Sequence, residues 1–135
     1  MNRILTSLFV NDLARSQAFY TDLLGLKPIF ESDWIVQLAD PDNEHINLSL
    51  QPKDHELIPE PFRKQPQGFS ITFVVDDCDT VFARAQSLQL EIVREPMNEE
   101  YGQRRFLTVD PDGTLIDISS LCDPSPAFIA KYFGG

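Results

Sequence analysis

The sequence predicts an α+β fold of two βαβββ modules whose strands form a curved mixed sheet that encloses a cup. Three observations predict it: strand, helix and turn signals occur twice in the same order, the strands alternate apolar and polar residues, and a proline-rich stretch separates the two copies. The chain has 135 residues, 42% of them hydrophobic and 24% charged, as expected for one globular domain with a core. We therefore expect a single domain over residues 1–135.

The first module is expected over about residues 1–51. A strand predicted from Ile4 to Val10 leads to Asp12, which can cap a helix over about Leu13–Leu24, and Gly25 supplies the helix stop. Apolar residues at helical spacing give this helix one buried face: Leu13, Phe19, Tyr20, Leu23 and Leu24. Three strands should follow, the last two joined by the turn at residues 40–43: Lys27–Glu31, Trp34–Ala39 and His45–Gln51.

The second module is expected over about residues 68–121 and repeats this order. A strand from Phe69 to Val75 meets Asp76 and Asp77, which again signal a helix cap, before a helix over about Cys78–Leu88. Three strands should follow, the last two joined by the turn at residues 110–113: Glu91–Arg94, Arg104–Val109 and Leu115–Ser120. Residues 52–67 hold four prolines and are expected to be a linker. The tail at residues 122–135 should add a short helix over Ala127–Phe133.

Alternation within the strands predicts two different sheet faces. In the eighth strand, Ile116 and Ile118 alternate with Asp117, and the fourth and fifth strands alternate in the same way. A sheet with one face under its helices and the other turned into a partly polar cup explains this pattern. Exposure of the second face to solvent is the alternative that alternation leaves open.

Charge and cysteine content limit the partners. The formal net charge of −10 argues against nucleic acid, because phosphate binding needs a basic surface. The acidity either keeps the surface solvated or raises the local concentration of a cationic ligand. No apolar run reaches membrane-spanning length, and residues 1–7 lack signal-peptide features. Cys78 and Cys122 fit a reduced thiol pair, as is usual in the cytosol. We expect a cytoplasmic protein that binds no membrane.

Two motifs resemble the vicinal oxygen chelate superfamily, which contains glyoxalases, bleomycin-resistance proteins and extradiol dioxygenases. Residues 10–20 (VNDLARSQAFY), followed by Leu24-Gly25-Leu26, are similar to the first-helix pattern V-x-D-L-x-x-S-x-x-F-Y and its L-G-(L/F) ending. Residues 110–118 (DPDGTLIDI) are similar to the D-P-D-G-x-x-I-E-(L/I) of the final hairpin. The resemblance implies two βαβββ modules that hold small ligands, often across a homodimer.

The resemblance also implies where a metal would be bound. Metal-dependent members take ligands from the first, fourth, fifth and eighth strands, and these positions fall here on Leu5, Asn47, Ser70 and Asp117. Transition metals need at least three good nitrogen, sulfur or anionic oxygen donors, and only Asp117 is a sound ligand. His45 shares the polar row with Asn47, and one further histidine does not complete the site. We therefore expect no metal and no other cofactor.

Without a metal, the expected chemistry is non-covalent capture of a small organic molecule. Residues 101–106 (YGQRRF) are similar to the W-G-x-x-x-(F/A) region of bleomycin-resistance proteins, which are acidic and dimeric and sequester a cationic drug. Candidate stacking surfaces are Trp34, Tyr101 and Phe106, although an aromatic residue at each position is more often part of the core than a ligand contact. Of the neighbouring Arg104 and Arg105, only one should face the cup, where it either pairs with Asp117 or binds a ligand carboxylate.

Two function classes remain open. We favour a metal-independent, homodimeric binding protein for a cationic or aromatic compound, with its ligand contacts drawn from Trp34, Asn47, Ser70, Tyr101, Arg105, Phe106 and Asp117. The alternative is a lyase, isomerase or dioxygenase of the same superfamily with an atypical metal site, or a metal-free enzyme. Under the metal-free version, Asp117 is the best candidate catalytic residue, acting as a base.

Overall fold

A computed structural model describes residues 1–134 and confirms the α+β fold with two βαβββ modules. The first module consists of β1 (Ser7–Val10), α1 (Leu13–Leu24), β2 (Lys27–Glu31), β3 (Val36–Asp40) and β4 (Asn43–Pro52). A single 3₁₀ turn, Glu60–Phe62, lies in the segment that joins the modules. The second consists of β5 (Ser70–Val74), α2 (Cys78–Ser87), β6 (Ile92–Glu99), β7 (Gln103–Val109) and β8 (Leu115–Leu121), and α3 (Pro126–Tyr132) follows it.

Each module has its own four-stranded mixed sheet. The strand orders are β1-β4-β3-β2 and β5-β8-β7-β6, so the two topologies are the same. In both sheets the first and last strands of the module pair in parallel, and the remaining neighbours are antiparallel. Among the described residues the hydrogen bonds thus form two separate sheets, neither of which is closed.

The chain divides into two compact units. Unit 1 comprises Met1–Gly68 together with the turn Asp110–Gly113, and unit 2 comprises Phe69–Val109 and the chain from Thr114 onward. Within residues 1–134, no helix is both long enough and apolar enough to cross a bilayer.

The predicted caps of α1 are confirmed. The Asp12 side chain accepts a hydrogen bond from the backbone N–H of Arg15, and Gly25 closes the helix with a φ of 70°. This left-handed conformation is one that glycine adopts without steric cost. The helix packs on β3 and β4, and its buried residues are Ser16, Phe19, Tyr20 and Leu23.

The turn Asp110–Gly113 belongs to unit 1 because its aspartates bond to α1. Asp112 accepts hydrogen bonds from the Asn11 backbone N–H at 2.9 Å and from Ser16 Oγ at 3.2 Å. The Tyr20 hydroxyl donates to Asp110 Oδ2 at 2.7 Å. Burial, together with the Asp110 carboxylate, raises the pKa of Tyr20 far above its ordinary value, so the hydroxyl remains a donor.

Unit 2 has a core between α2 and its sheet. Asp77 caps α2 by accepting from the Asp79 backbone N–H, as expected from the sequence. The buried apolar residues of this core are Cys78, Val81, Ala85, Phe106, Ile116 and Ile118. Burial, with a smaller contribution from Asp79, raises the pKa of the Cys78 thiol.

Most element boundaries differ from the predicted ones by two residues or fewer, with two larger differences. β1 begins at Ser7 rather than Ile4, and Leu5 lies outside the strand and is 49% exposed. β6 continues to Glu99 instead of ending at Arg94. The strand passes through Pro96 because β6 is an edge strand and its register shifts between Arg94 and Met97, which accommodates a residue without an N–H.

Candidate functional site

The sheet of unit 2 has one face under α2 and a second face, here called the open face, that points away from this helix. Phe106 contacts Phe82 of α2, and Arg104 bonds to Asp79 of α2, so both lie on the helix face. Arg105 lies between them in sequence and therefore points to the open face. Arg105 therefore shares the open face with Asp117, and Arg104 does not.

Asp117 lies at the centre of the open face and is 7% exposed. Its Oδ2 accepts hydrogen bonds from Thr72 Oγ1 of β5 at 3.0 Å and from Arg105 Nη1 of β7 at 3.3 Å. Its Oδ1 accepts from Ser119 Oγ of β8 at 2.9 Å. Three strands thus supply donors to one carboxylate, and both of its oxygens are engaged within the protein.

Arg105 connects Asp117 to a second carboxylate. Its Nε lies 3.3 Å from Glu99 Oε1, and Arg94 Nη2 contacts the same oxygen at 3.0 Å. Desolvation lowers the pKa of Arg105, but the nearby Tyr101, Asp117 and Glu99 outweigh it and raise that pKa. Arg105 therefore remains a cation, and the network joins two arginines to two carboxylates.

Apolar side chains surround this polar network. Register pairing places Val74 beside Ser119 and Met97 beside Arg105, and Leu121 follows two residues after Ser119 in β8. All three of these apolar residues are exposed. The open face therefore combines a centre whose polar groups are already hydrogen-bonded with an apolar margin that contacts solvent.

The residues at the predicted metal positions do not match the donor set of a transition-metal site. Leu5 has no donor atom, and the Asn47 side-chain nitrogen donates to the carbonyls of Glu44 and His45 at 3.3 and 3.4 Å. Ser70 offers a neutral hydroxyl, and the oxygens of Asp117 already accept three hydrogen bonds. Residues 1–134 contain no group of three or more His, Cys, Asp or Glu side chains arranged to hold a metal ion.

The predicted ligand contacts of unit 2 fall on both sheet faces. Arg105 and Asp117 are brought together on the open face, and Ser70 begins β5 beside them at an exposed position. Tyr101 lies in the turn between β6 and β7 and is 44% exposed. Phe106 is fully buried on the helix face, where it packs edge-on against Phe82, so it occupies the core position that the sequence also allowed.

The two remaining predicted contacts, Trp34 and Asn47, belong to unit 1. Trp34 stacks on His55 with ring centroids 4.9 Å apart, so part of its surface is covered by an intramolecular partner. Asn47 lies in β4 on the polar row opposite Leu48 and Leu50, as predicted, and is partly exposed.

Four residues of the network were missed as site residues: Thr72, Arg94, Glu99 and Ser119. Glu99 lies beyond Arg94, where the sixth strand was predicted to end, so the sequence did not place it on a sheet face. Extending the hairpin through Pro96 pairs Glu99 with Gln103, which places it on the same face as Arg105. Thr72 was assigned to the polar row of β5, and its pairing with Asp117 is the signal that identifies it.

The fold, the twice-repeated module and the position of Asp117 agree with one protein class. A family model described as the Glyoxalase/Bleomycin resistance protein/Dioxygenase superfamily matches residues 1–118. The chain belongs to this superfamily, which confirms the resemblance seen in the sequence. No curated protein sequence matches the chain.

Solved structures of the same superfamily share the fold. A lactoylglutathione lyase from Agrobacterium tumefaciens is similar with a TM-score of 0.68 and 22% identity, over 89% of this chain and 94% of that one. A superfamily member from Sphaerobacter thermophilus gives 0.75 and 19%, over 89% and 97% of the two chains. A family enzyme from Burkholderia phytofirmans gives 0.73 and 19%, over 87% and 96%. At these identities the similarity extends to the fold alone.

Proposed function

We propose that this chain is a metal-independent binding protein that captures a cationic or aromatic organic compound, acting as a cytoplasmic homodimer. The observation that carries the proposal is the environment of Asp117. It is the single sound metal ligand among the four predicted positions, and its oxygens accept hydrogen bonds from Thr72, Arg105 and Ser119. A metal ion would have to displace the Arg105 guanidinium and leave that cation without this partner.

The composition of the open face supports binding of an organic molecule. The carboxylates and arginines at its centre are paired with one another, so they offer little net charge to a ligand. The exposed Val74, Met97 and Leu121 supply apolar surface around them, and small-molecule sites typically combine apolar walls with a few fixed polar groups. The formal charge of −10 favours a cation over an anion at longer range.

A second candidate is a lyase, isomerase or dioxygenase of this superfamily with an atypical metal site. It is favoured by the names of two structurally similar proteins, the lactoylglutathione lyase from Agrobacterium tumefaciens and the family enzyme from Burkholderia phytofirmans. It also uses Asp117, which lies in β8 where the resemblance expects a metal-binding glutamate.

Metal retention separates the two candidates. Purified wild-type protein and Asp117→Asn are incubated with Zn²⁺, Ni²⁺, Mn²⁺ or Fe²⁺, desalted, and measured by elemental analysis. We expect neither protein to retain a stoichiometric metal. Retention of one ion per chain by the wild type but not by Asp117→Asn would overturn the proposal in favour of the metal enzyme.

Ligand capture and assembly are tested separately. A thermal-shift screen of cationic, neutral and anionic aromatic compounds should give its largest increases with the cations, because a ligand that binds only the folded state raises the midpoint. If no compound of any charge raises the midpoint, the capture proposal fails. Light scattering should give twice the chain mass of 15.4 kDa, and a mass of one chain would contradict the homodimer.

A further inference from the structure

A groove of about 360 Å³ lies in unit 2 between α3 and the turn that joins β6 to β7. One wall is formed by Glu99, Glu100 and Tyr101, and the other by residues of α3 that include Phe128, Lys131 and Tyr132. Its volume lies near the lower end of the range for small-molecule pockets, about 300–1,000 Å³, so it suits a compound of two or three rings.

The groove has a fixed base, because the chain after β8 is bonded to the β6–β7 turn. The Cys122 and Ser125 backbone N–H groups each donate at 2.9 Å, to the carbonyls of Gly102 and Glu100 respectively. Gly102 has a φ of 104°, and a Cβ at this position would lie 3.1 Å from the Pro124 ring and 3.2 Å from the Cys122 carbonyl oxygen. The Ser125 side chain then caps α3 by accepting from the Phe128 N–H at 3.0 Å.

The walls combine aromatic surface with negative charge. The Phe128 and Tyr132 rings are 4.8 Å apart, and Tyr132 is 60% exposed opposite the exposed Tyr101. Glu100 is exposed, and its carboxylate has no ion-pair partner among residues 1–134. Of the described residues that line the groove, Lys131 is the one cation, and its Nζ lies 5.2 Å from the Tyr132 ring centroid. That contact shows that the Tyr132 face accepts a positive charge.

We propose that this groove binds a planar aromatic cation, with the ligand ring against Tyr101 and Tyr132 and its positive charge beside Glu100. The inference rests on the proposed function and makes it more specific, since it assigns recognition of the ligand's charge to Glu100, which has no ion-pair partner among residues 1–134. Lys131 opposes the ligand's charge and so limits its affinity.

Three acridines of matched shape test the groove. 9-Aminoacridine is a cation at pH 8, acridine is neutral and acridine-9-carboxylate is an anion, and each is titrated into the full chain by calorimetry at low salt. We expect 9-aminoacridine to bind most tightly and the carboxylate most weakly, with one cation bound per chain. Added salt should weaken the binding of the cation, because exposed charges are screened.

Variants locate the binding. Glu100→Gln should weaken 9-aminoacridine binding about threefold, and Lys131→Gln should strengthen it about twofold, as expected for partly exposed charge pairs. Tyr132→Ala should weaken it about fivefold through loss of the aromatic face. Glu56→Gln, at an exposed position in unit 1, removes the same charge as Glu100→Gln and should leave the affinity unchanged.

The outcomes separate this inference from the broader function. If 9-aminoacridine binds but Glu100→Gln and Glu56→Gln change its affinity equally, the groove is not the site, and the inference is wrong while ligand capture stands. Absence of 9-aminoacridine binding also overturns the inference, and the wider ligand screen then decides the proposed function on its own.

Discussion

The contact between Arg105 and Asp117 can be measured directly by a double-mutant cycle. Arg105→Gln removes the cation, Asp117→Asn removes the anion, and the double variant removes both while keeping the side-chain sizes similar. The two groups are 3.3 Å apart, and their side chains are 22% and 10% exposed. The pair therefore lies between a surface ion pair, worth about 0.2–1 kcal/mol, and a buried one, whose disruption costs about 3–5 kcal/mol.

We expect Arg105→Gln alone to destabilise the protein by about 1–2 kcal/mol, because Asp117 and Glu99 both lose a partner. The coupling free energy between Arg105 and Asp117 should be about 1 kcal/mol. For a chain of this length, that coupling corresponds to roughly 4 °C in melting temperature. The measurement is urea unfolding of the four proteins, followed by circular dichroism.

The adjacent arginine provides a matched control. Arg104 points to the opposite face and pairs with Asp79 at 2.9 Å, so its coupling to Asp117 should be close to zero. If Arg105 couples to Asp117 no more strongly than Arg104 does, the guanidinium does not hold this carboxylate. A metal ion would then displace no bound cation at Asp117, and the central argument for metal-independent binding would fail.

Three further predictions concern unit 2. Hydrogen bonds from the Thr80 side chain and backbone, and from the Asp79 backbone, lower the pKa of Asp77. The stability that Asp77 contributes should therefore be present above about pH 4, where an unfolded aspartate is ionised, and be lost as the pH falls through its folded pKa. Urea unfolding should show that Asp77→Ala destabilises the protein at pH 7 and has less effect in acid. Gln89 follows α2 with a φ of 57°, so Gln89→Gly should raise the free energy of unfolding by about 0.5–1 kcal/mol, and a decrease would contradict this account of its backbone. Cys78 is buried and Cys122 partly exposed, so a thiol reagent should modify one thiol per native chain and two after denaturation, and rapid modification of both in the native protein would contradict the packing.

Local signals in the sequence were sufficient to predict the bounds of the first helix. Asp12 and Gly25 carry chemistry that acts within a few residues, and the helix between them has the predicted bounds. The repeated order of elements was enough to predict two modules, since each βαβββ unit has its own strand and turn signals. Structural features that depend on residues close together in the sequence could therefore be predicted without a structure.

Interactions between distant strands could not be predicted in the same way. An ion pair between Arg105 and Asp117 was one of the two alternatives that the sequence offered, because their strands form the final hairpin. The contact of Glu99 with Arg105 was not predicted, since the position of Glu99 depends on a bulge that carries β6 past Pro96. Thr72 reaches Asp117 across a parallel pairing of strands 45 residues apart, which only the register of β5 and β8 determines.

The charge pattern of the open face follows from the burial of one carboxylate. Asp117 occupies a largely buried position on β8, where an ionised carboxylate without a counter-charge is strongly destabilised. Arg105 of the neighbouring strand β7 supplies the counter-charge. β7 is antiparallel to β8 and its register places Arg105 opposite Ser119, so the long Arg105 side chain reaches Asp117. A superfamily sequence that keeps the eighth-strand carboxylate but lacks the other ligands should therefore carry an arginine or lysine on the open face of its seventh strand. That rule can be applied from sequence alone, because alternation fixes which residues of the seventh strand face the carboxylate.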